Sequence, residues 1–219
     1  AGLAAATHLA EANQTVCVLE SGPALGGRAR SFIDRTTCDA VDNGQHALMG
    51  CYDEFLELLQ RIGRQDALTD GAPRIPLWST DRGIHALDCP RLPAPLHFAA
   101  GLLRYKQLSV RERLSTALAG HRLVTQPQGD ATVTAVLDAA RQNTRQRRAF
   151  WDPIVWATLN SSPERASAAL LATVVKRALM GSFDDSRFLL PRVPLSELYA
   201  DPARKFIEER GGEVRCRTH

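Results

Sequence analysis

The chain of 219 residues is long enough to bury one or two cores, and its hydrophobic fraction of 44% is that of an ordinary globular protein. No apolar run approaches the roughly twenty residues that cross a bilayer as a helix, and no aromatic-plus-basic pattern accompanies the net charge of +3, which argues against nucleic-acid binding. That charge is uneven: residues 1–60 hold three Lys/Arg against eight Asp/Glu, whereas residues 61–219 hold twenty-four against sixteen.

The opening Ala1-Gly2-Leu3-Ala4-Ala5-Ala6 reads as the close of a glycine-rich loop running into a helix, predicted over about residues 2–12. An apolar strand follows over residues 15–19 and ends on Glu20, and Gly26-Gly27-Arg28 comes soon after. This order suits a dinucleotide. Glycine lets the backbone approach a pyrophosphate, a helix N-terminus supplies N–H groups and positive dipole, and an acid at the strand end accepts ribose hydroxyls. Glu20 stands about twenty residues from the glycine, where such an acid belongs. The motif opens in mid-course, so the chain is expected to be an internal segment of a longer protein.

Residues 28–41 read as short and extended, and Asp42-Asn43-Gly44-Gln45-His46 as a turn-rich loop. Asn-Gly is also the strongest short hairpin signal, so the loop's own sequence suits a hairpin turn as well as a ligand contact. From Ala47 to Ile62 the residues Leu48, Tyr52, Phe55, Leu56, Leu59 and Ile62 recur at helical spacing, with Gly63 placed to cap the end. Residues 74–79 and 84–87 predict two strands joined by a turn, and Pro90, Pro93 and Pro95 a stiff connector.

Residues 96–179 read as mostly helical, with breaks near 125–130 and 160–163; Ser162-Pro163-Glu164 has the form of a helix start. Trp151 and Trp156 are expected in the core. Arg141, Arg145, Arg147 and Arg148 fit a solvated helix face, with anionic lipid or a diphosphate as the functional alternative. A proline-rich joint over 190–194 leads to a helix ending at Gly211-Gly212 and a strand from Glu213. Five cysteines without C-x-x-C spacing signal neither a metal site nor a disulfide framework and suit a reducing cytoplasm; Cys17 is expected inside a buried strand. The predicted organisation is α/β: a nucleotide-binding segment over 1–70, a mainly helical insertion with a small antiparallel sheet over 71–195, and a return over 196–219.

Gly2-Leu3-Ala4-Ala5-Ala6, Leu19-Glu20, Gly26-Gly27-Arg28-Ala29-Arg30-Ser31-Phe32 and Asp42-Asn43-Gly44-Gln45-His46 together resemble the FAD-binding region of the amine oxidase and phytoene desaturase superfamily. Pro93-Ala94-Pro95-Leu96-His97, Phe150-Trp151-Asp152-Pro153, Leu159-Asn160, Glu164-Arg165-Ala166-Ser167 and Leu190-Pro191-Arg192-Val193 are similar to one branch of it, the hydroxysqualene dehydroxylases. The resemblance implies a Rossmann-like FAD-binding domain, incomplete at both ends, interrupted by an inserted substrate domain. It implies Glu20 at the adenosine ribose, Gly2 beside the pyrophosphate, Gly26, Gly27 and Arg28 along the pyrophosphate and ribityl side, Gly44, Gln45 and His46 near the flavin ring, and Ser21 as a further cofactor contact. His46 is also a candidate proton donor. The implied reaction replaces the hydroxyl of hydroxysqualene with hydride; the alternative is a desaturase that removes hydride from a carotenoid, or an amine oxidase-type reaction. The substrate would be a long isoprenoid held by helices over 96–103 and 168–179. Phe98, Leu102, Leu103, Arg104, Tyr105 and Lys106 would be the face resting on a membrane surface, and ordinary helix packing is the competing reading of them. Residues 1–219 alone are expected not to hold FAD.

Overall fold

The structure is a computed structural model that describes residues 1–44, 46–69, 71, 73–79 and 83–218. In chain order it contains α1 (Gly2–Glu11), β1 (Cys17–Glu20), β2 (Ser31–Ile33), β3 (Ala40–Asp42), β4 (Leu48–Met49), α2 (Asp53–Arg61), β5 (Arg74–Ser79), β6 (Gly83–Asp88), α3 (Leu96–Arg104), α4 (Val110–Thr125), α5 (Val133–Ala139), α6 (Thr144–Gln146), α7 (Asp152–Leu159), α8 (Ala168–Val174), β7 (Phe188–Leu189), α9 (Asp201–Glu208) and β8 (Glu213–Cys216). Three π-helical segments join this set: Arg147–Trp151 before α7, Val175–Leu179 after α8 and Ser196–Ala200 before α9. The chain divides by its own contacts into two units. The first comprises Ala1–Leu48, Tyr52–Asp70 and Leu189–His219; the second comprises Met49–Cys51 and Gly71–Phe188. The second unit thus closes at Phe188 rather than at 195, and it takes in three residues from the middle of the first.

In the first unit β1 and β8 run parallel, with Cys17 beside Glu213 and Glu20 beside Cys216. Small side chains on one face of α1, Ala6 and Ala10, let α9 approach closely, and they are buried with Val16, Phe206 and Ile207. A second cluster gathers Leu48, Leu59, Ala67, Leu189, Leu195 and Leu198. Arg61, in the last turn of α2, ties that helix to α1: its Nε lies 2.7 Å from Glu11 Oε2, and its guanidinium also reaches Glu57 and His8. Cys17 is exposed, not buried, because strand alternation places it with Leu19 on the uncovered face of β1.

The second unit pairs β5 with β6 as an antiparallel hairpin, Arg74 opposite Asp88 and Ser79 opposite Gly83; the expected turn at 80–82 lies outside the described residues. Its core centres on Tyr105, Phe150, Trp151, Leu123 and Leu171. Trp151 is buried and donates Nε1–H to Gln142 Oε1 at 3.0 Å, whereas Trp156 is 56% exposed and does not join the core.

Two expectations yield to tertiary contacts. The helical spacing from Ala47 does not begin a helix: at Gly50 a Cβ would stand 1.8 Å from the Asp184 carbonyl oxygen, and Gly50 and Cys51 donate to the carbonyls of Arg187 and Asp185. That backbone approach holds Gly50 and Cys51 in a turn after β4, and α2 starts at Asp53. Likewise Ser162-Pro163 forms a turn, because Thr134 N–H takes the Pro163 carbonyl and Val133 N–H the Ala166 carbonyl. The real start of α8 is capped by Ser167, whose Oγ accepts from Leu170 N–H.

Candidate cofactor cleft

Within the first unit a cleft of about 570 Å³ is bounded by the first turn of α1, the end of β1, the glycine loop, His46, α2 and Tyr199. Its volume falls within the roughly 300–1,000 Å³ of ligand and cofactor sites. Ala1, Gly2, Leu3 and Ala4 line it, and α1 has neither a capping side chain nor an acid in its first turn. The amides of that turn therefore have no side-chain acceptor, which leaves them, with the positive end of the helix dipole, for an anion. Nothing in the fold requires glycine at position 2: its φ is not positive, and a Cβ there would meet no atom within 4 Å.

Glu20 ends β1 at the wall of this cleft. Its Oε1 accepts from Gly22 N–H at 2.6 Å and from Ser21 Oγ at 3.5 Å, which fixes the carboxylate, while Oε2 accepts no hydrogen bond among the described residues. An oriented carboxylate with a vacant oxygen suits a sugar hydroxyl. Gly26 and Gly27 also line the cleft and carry φ of +103° and +60°, a left-handed bend that side chains resist. His46 lines it as well, and its Nε2 is buried without a hydrogen-bond partner.

The cleft therefore brings together Gly2, Glu20, Gly26, Gly27 and His46. Ser21, Arg28 and Gly44 are exposed and do not stand among its lining, and Gln45 lies outside the described residues. Asn43-Gly44 is not a hairpin turn. The hairpin of β2 and β3 turns at 34–39, where Asp34 Oδ1 accepts from the amides of Thr36 and Thr37 at 2.8 and 2.9 Å. Those bonds hold the Asp34 carboxyl below its ordinary pKa. Asn43 instead donates Nδ2–H to the Arg28 carbonyl at 3.1 Å, which sets Asn43 beside the glycine loop. Phe55, Leu195 and Tyr199 complete the wall; no local motif announces them, since they come from α2 and from a segment about 170 residues from the glycine loop.

A second groove of about 540 Å³ in this unit is lined by Glu197, Asp201, Lys205 and Glu209 beside Arg64. Its charges are of mixed sign, with Lys205 Nζ 3.7 Å from Glu209, and it lacks the glycine and helix-terminus features. In the second unit, a cavity of about 10 Å³ lies among Phe98, Gly120, Phe150, Trp151 and Leu179, room for one water at most. No group of three or more potential metal ligands occurs among the described residues.

The model of the family described as flavin containing amine oxidoreductase matches residues 1–219. The chain is 27% identical to a hydroxysqualene dehydroxylase of Zymomonas mobilis over 100% of its length and 51% of that protein. It is 26% identical to a zeta-carotene desaturase of Zea mays over 99% of its length and 40% of that protein. Among solved structures, an oxidoreductase from Methanosarcina mazei superposes with a TM-score of 0.64 at 17% identity, covering 98% of this chain and 48% of that one. The chain thus spans about half the length of the first curated relatives it matches.

Proposed function

The chain belongs to the flavin-containing amine oxidoreductase family, whose cofactor is FAD, and from that premise we propose that it forms part of an oxidoreductase acting on a long isoprenoid, with reductive dehydroxylation of hydroxysqualene to squalene as its reaction. The observation that carries the cofactor half of this reading is the cleft itself, where an uncapped helix terminus, two left-handed glycines and an oriented carboxylate face one space. The amides of α1 and of the Gly26–Gly27 turn would hold the pyrophosphate, and Glu20 Oε2 the adenosine ribose. When bound and reduced, FAD supplies a hydride; its reductant comes from outside the chain.

Loss of the substrate hydroxyl as water consumes one proton and leaves an allylic cation, which the hydride quenches. On this chain His46, with a buried and unpartnered Nε2 at the cleft, is the candidate to hold that proton. The likeness to zeta-carotene desaturases favours a second reading in which hydride leaves the substrate instead. Full-length protein supplied with hydroxysqualene and a flavin reductant under anaerobic conditions separates the two. Squalene in the mass spectrum is expected; its absence, with a carotene precursor consumed under oxidising conditions, would reverse the assignment.

A lipid surface is the proposed partner, at the cytoplasmic side of the membrane, although no helix of the described residues is long and apolar enough to cross one. The face differs from the one expected, because Phe98, Leu102 and Tyr105 are buried. Outward instead point Leu96 and Leu103 on α3 and Val110, Leu114 and Leu118 on α4, each between 50% and 63% exposed and at helical spacing. Residues 91–129 carry six Lys/Arg against one Asp/Glu, with Arg104, Arg111 and Arg122 exposed beside the leucines. A second copy would set like charge against like, whereas anionic lipid complements it. Full-length protein should float with phosphatidylglycerol vesicles and lose most of that binding as Leu103→Ser/Leu114→Ser; flotation unchanged by the substitutions, or absent from the start, refutes the contact.

A further inference from the structure

The glycine loop of the cleft is sorted by polarity. Four of its five carbonyls meet protein donors: Gly26 and Ala29 share the Tyr199 hydroxyl at 3.0 and 2.6 Å, Arg28 takes Asn43 Nδ2–H at 3.1 Å, and Arg30 takes Asn43 N–H at 2.9 Å. Its amides are treated differently. Ala29 N–H closes the turn onto the Gly26 carbonyl, but the N–H groups of Gly27 and Arg28 find no acceptor among the described residues. A loop with most oxygens tied and two successive amides vacant presents donors, and successive backbone donors in a left-handed turn form a concavity for an anion.

We infer that Tyr199 and Asn43 are positioning residues for the cofactor pyrophosphate: they engage the carbonyl side of the Gly26–Arg30 loop so that its amide side is left for phosphate oxygens. This rests on the FAD reading and adds to it Tyr199, which no motif marks, and a specific role for Asn43 within the Asp42-to-His46 motif. The loop is shaped around the tyrosine. A Cβ at Gly26 would stand 3.2 Å from the Tyr199 oxygen and 3.0 Å from the Ala29 carbonyl, so glycine is what admits both.

The tyrosine is itself fixed. Its ring meets Phe55 edge-on, with centroids 5.5 Å apart at 73°, and both rings line the cleft. Tyr199 sits in the π-helical segment Ser196–Ala200, a widened turn of the kind that re-aims side chains. One turn earlier the same segment is anchored to the β2–β3 hairpin. Ser31 N–H donates to Ser196 Oγ at 3.0 Å and Ser196 N–H to Ser31 Oγ at 2.9 Å, while Asp42 Oδ1 accepts from Ser31 Oγ at 2.7 Å and from Leu195 N–H at 2.9 Å. Burial raises the Tyr199 pKa, which keeps the hydroxyl a donor. The segment that returns at Leu189 thereby sets the conformation of a loop near the start of the chain.

The test uses full-length protein stripped of flavin and titrated with FAD, then with ADP and with adenosine as competitors. Tyr199→Phe keeps the ring and removes one hydroxyl; Asn43→Ala, at an exposed position, removes the other side-chain donor and stands in should the tyrosine variant fail to fold. Each should weaken FAD and ADP about fivefold, the worth of one net hydrogen bond, and leave adenosine unchanged. Equal loss for ADP and adenosine would show a general collapse of the cleft and overturn the assignment, as would FAD and ADP affinities within twofold of wild type. Failure of the wild-type protein to bind FAD would instead sink the cofactor reading beneath it.

Discussion

His97 shows how one residue can be tied to acid stability without touching the cleft. It is fully buried in α3, its Nε2 lies 3.0 Å from Ser186 Oγ, and Phe183 meets its ring edge-on. Burial lowers its pKa below the ordinary histidine value, against the opposing pull of Asp185 and of the Pro93 carbonyl. The folded protein therefore resists a proton that the unfolded chain accepts. Stability is at its full value above the unfolded pKa of about 6.5 and declines as pH falls below it, until the folded pKa is reached. Thermal melts from pH 8 to pH 5 should show this decline, and His97→Gln, although less stable throughout, should show a shallower one. Equal slopes for the two proteins would remove the histidine from the account. The sequence marked His97 only as part of a family-like stretch; its burial follows from the segment around Ser186, 89 residues away.

At the scale of elements, glycines separate what the sequence shows from what packing decides. Gly120 lies in the middle of α4, where glycine costs a helix about 1 kcal/mol relative to alanine. A Cβ there would meet Trp151 and Met180 at 3.7 and 3.8 Å, ordinary contact distances beside the small void. Gly120→Ala is expected to stabilise the protein by about 0.5–1 kcal/mol, read as a higher denaturant midpoint with unchanged slope. Gly50→Ala should do the reverse and sharply, since its new carbon would collide with the Asp184 carbonyl. Soluble expression near wild-type level for Gly50→Ala would contradict the tight pairing of 49–51 with 184–187. Local pattern found α1, α2, the hairpin of β5 and β6 and the helical run of the second unit, because their periodicities are intrinsic. It misplaced the start of α2 and the cap of α8, because backbone pairing from distant segments set both. The cleft was legible in the same way: Gly2, Glu20, Gly26 and Gly27 form a local motif, whereas Tyr199 reaches the glycine loop only through the fold.

For the whole molecule, the decisive feature is that the first unit is assembled from three stretches of chain and the second falls between them in sequence. The strands leaving and re-entering the first unit are clamped together. Thr69 N–H donates to the Leu190 carbonyl at 2.8 Å, Leu190 N–H to Thr69 Oγ1 at 2.9 Å, and Arg192 N–H to the Ala67 carbonyl at 2.8 Å. A unit whose chain ends already meet tolerates removal of what lies between them. Replacing residues 71–188 with a Gly/Ser linker of about four residues should leave the cleft intact, with Met49–Cys51 surviving as a loop without its partner strand. The replacement belongs in the full-length protein. In residues 1–219 the pair of β1 and β8 has no further strand on either side among the described residues, and a two-stranded sheet is marginal by itself, so this stretch alone is expected to purify colourless. In the full-length background the shortened protein should bind FAD at one equivalent by visible absorbance and fail to turn over any isoprenoid. Loss of flavin with the far-UV circular dichroism of the first unit preserved would mean that the cleft depends on the second unit, and that the glycine loop, Glu20 and Tyr199 do not suffice to hold the nucleotide.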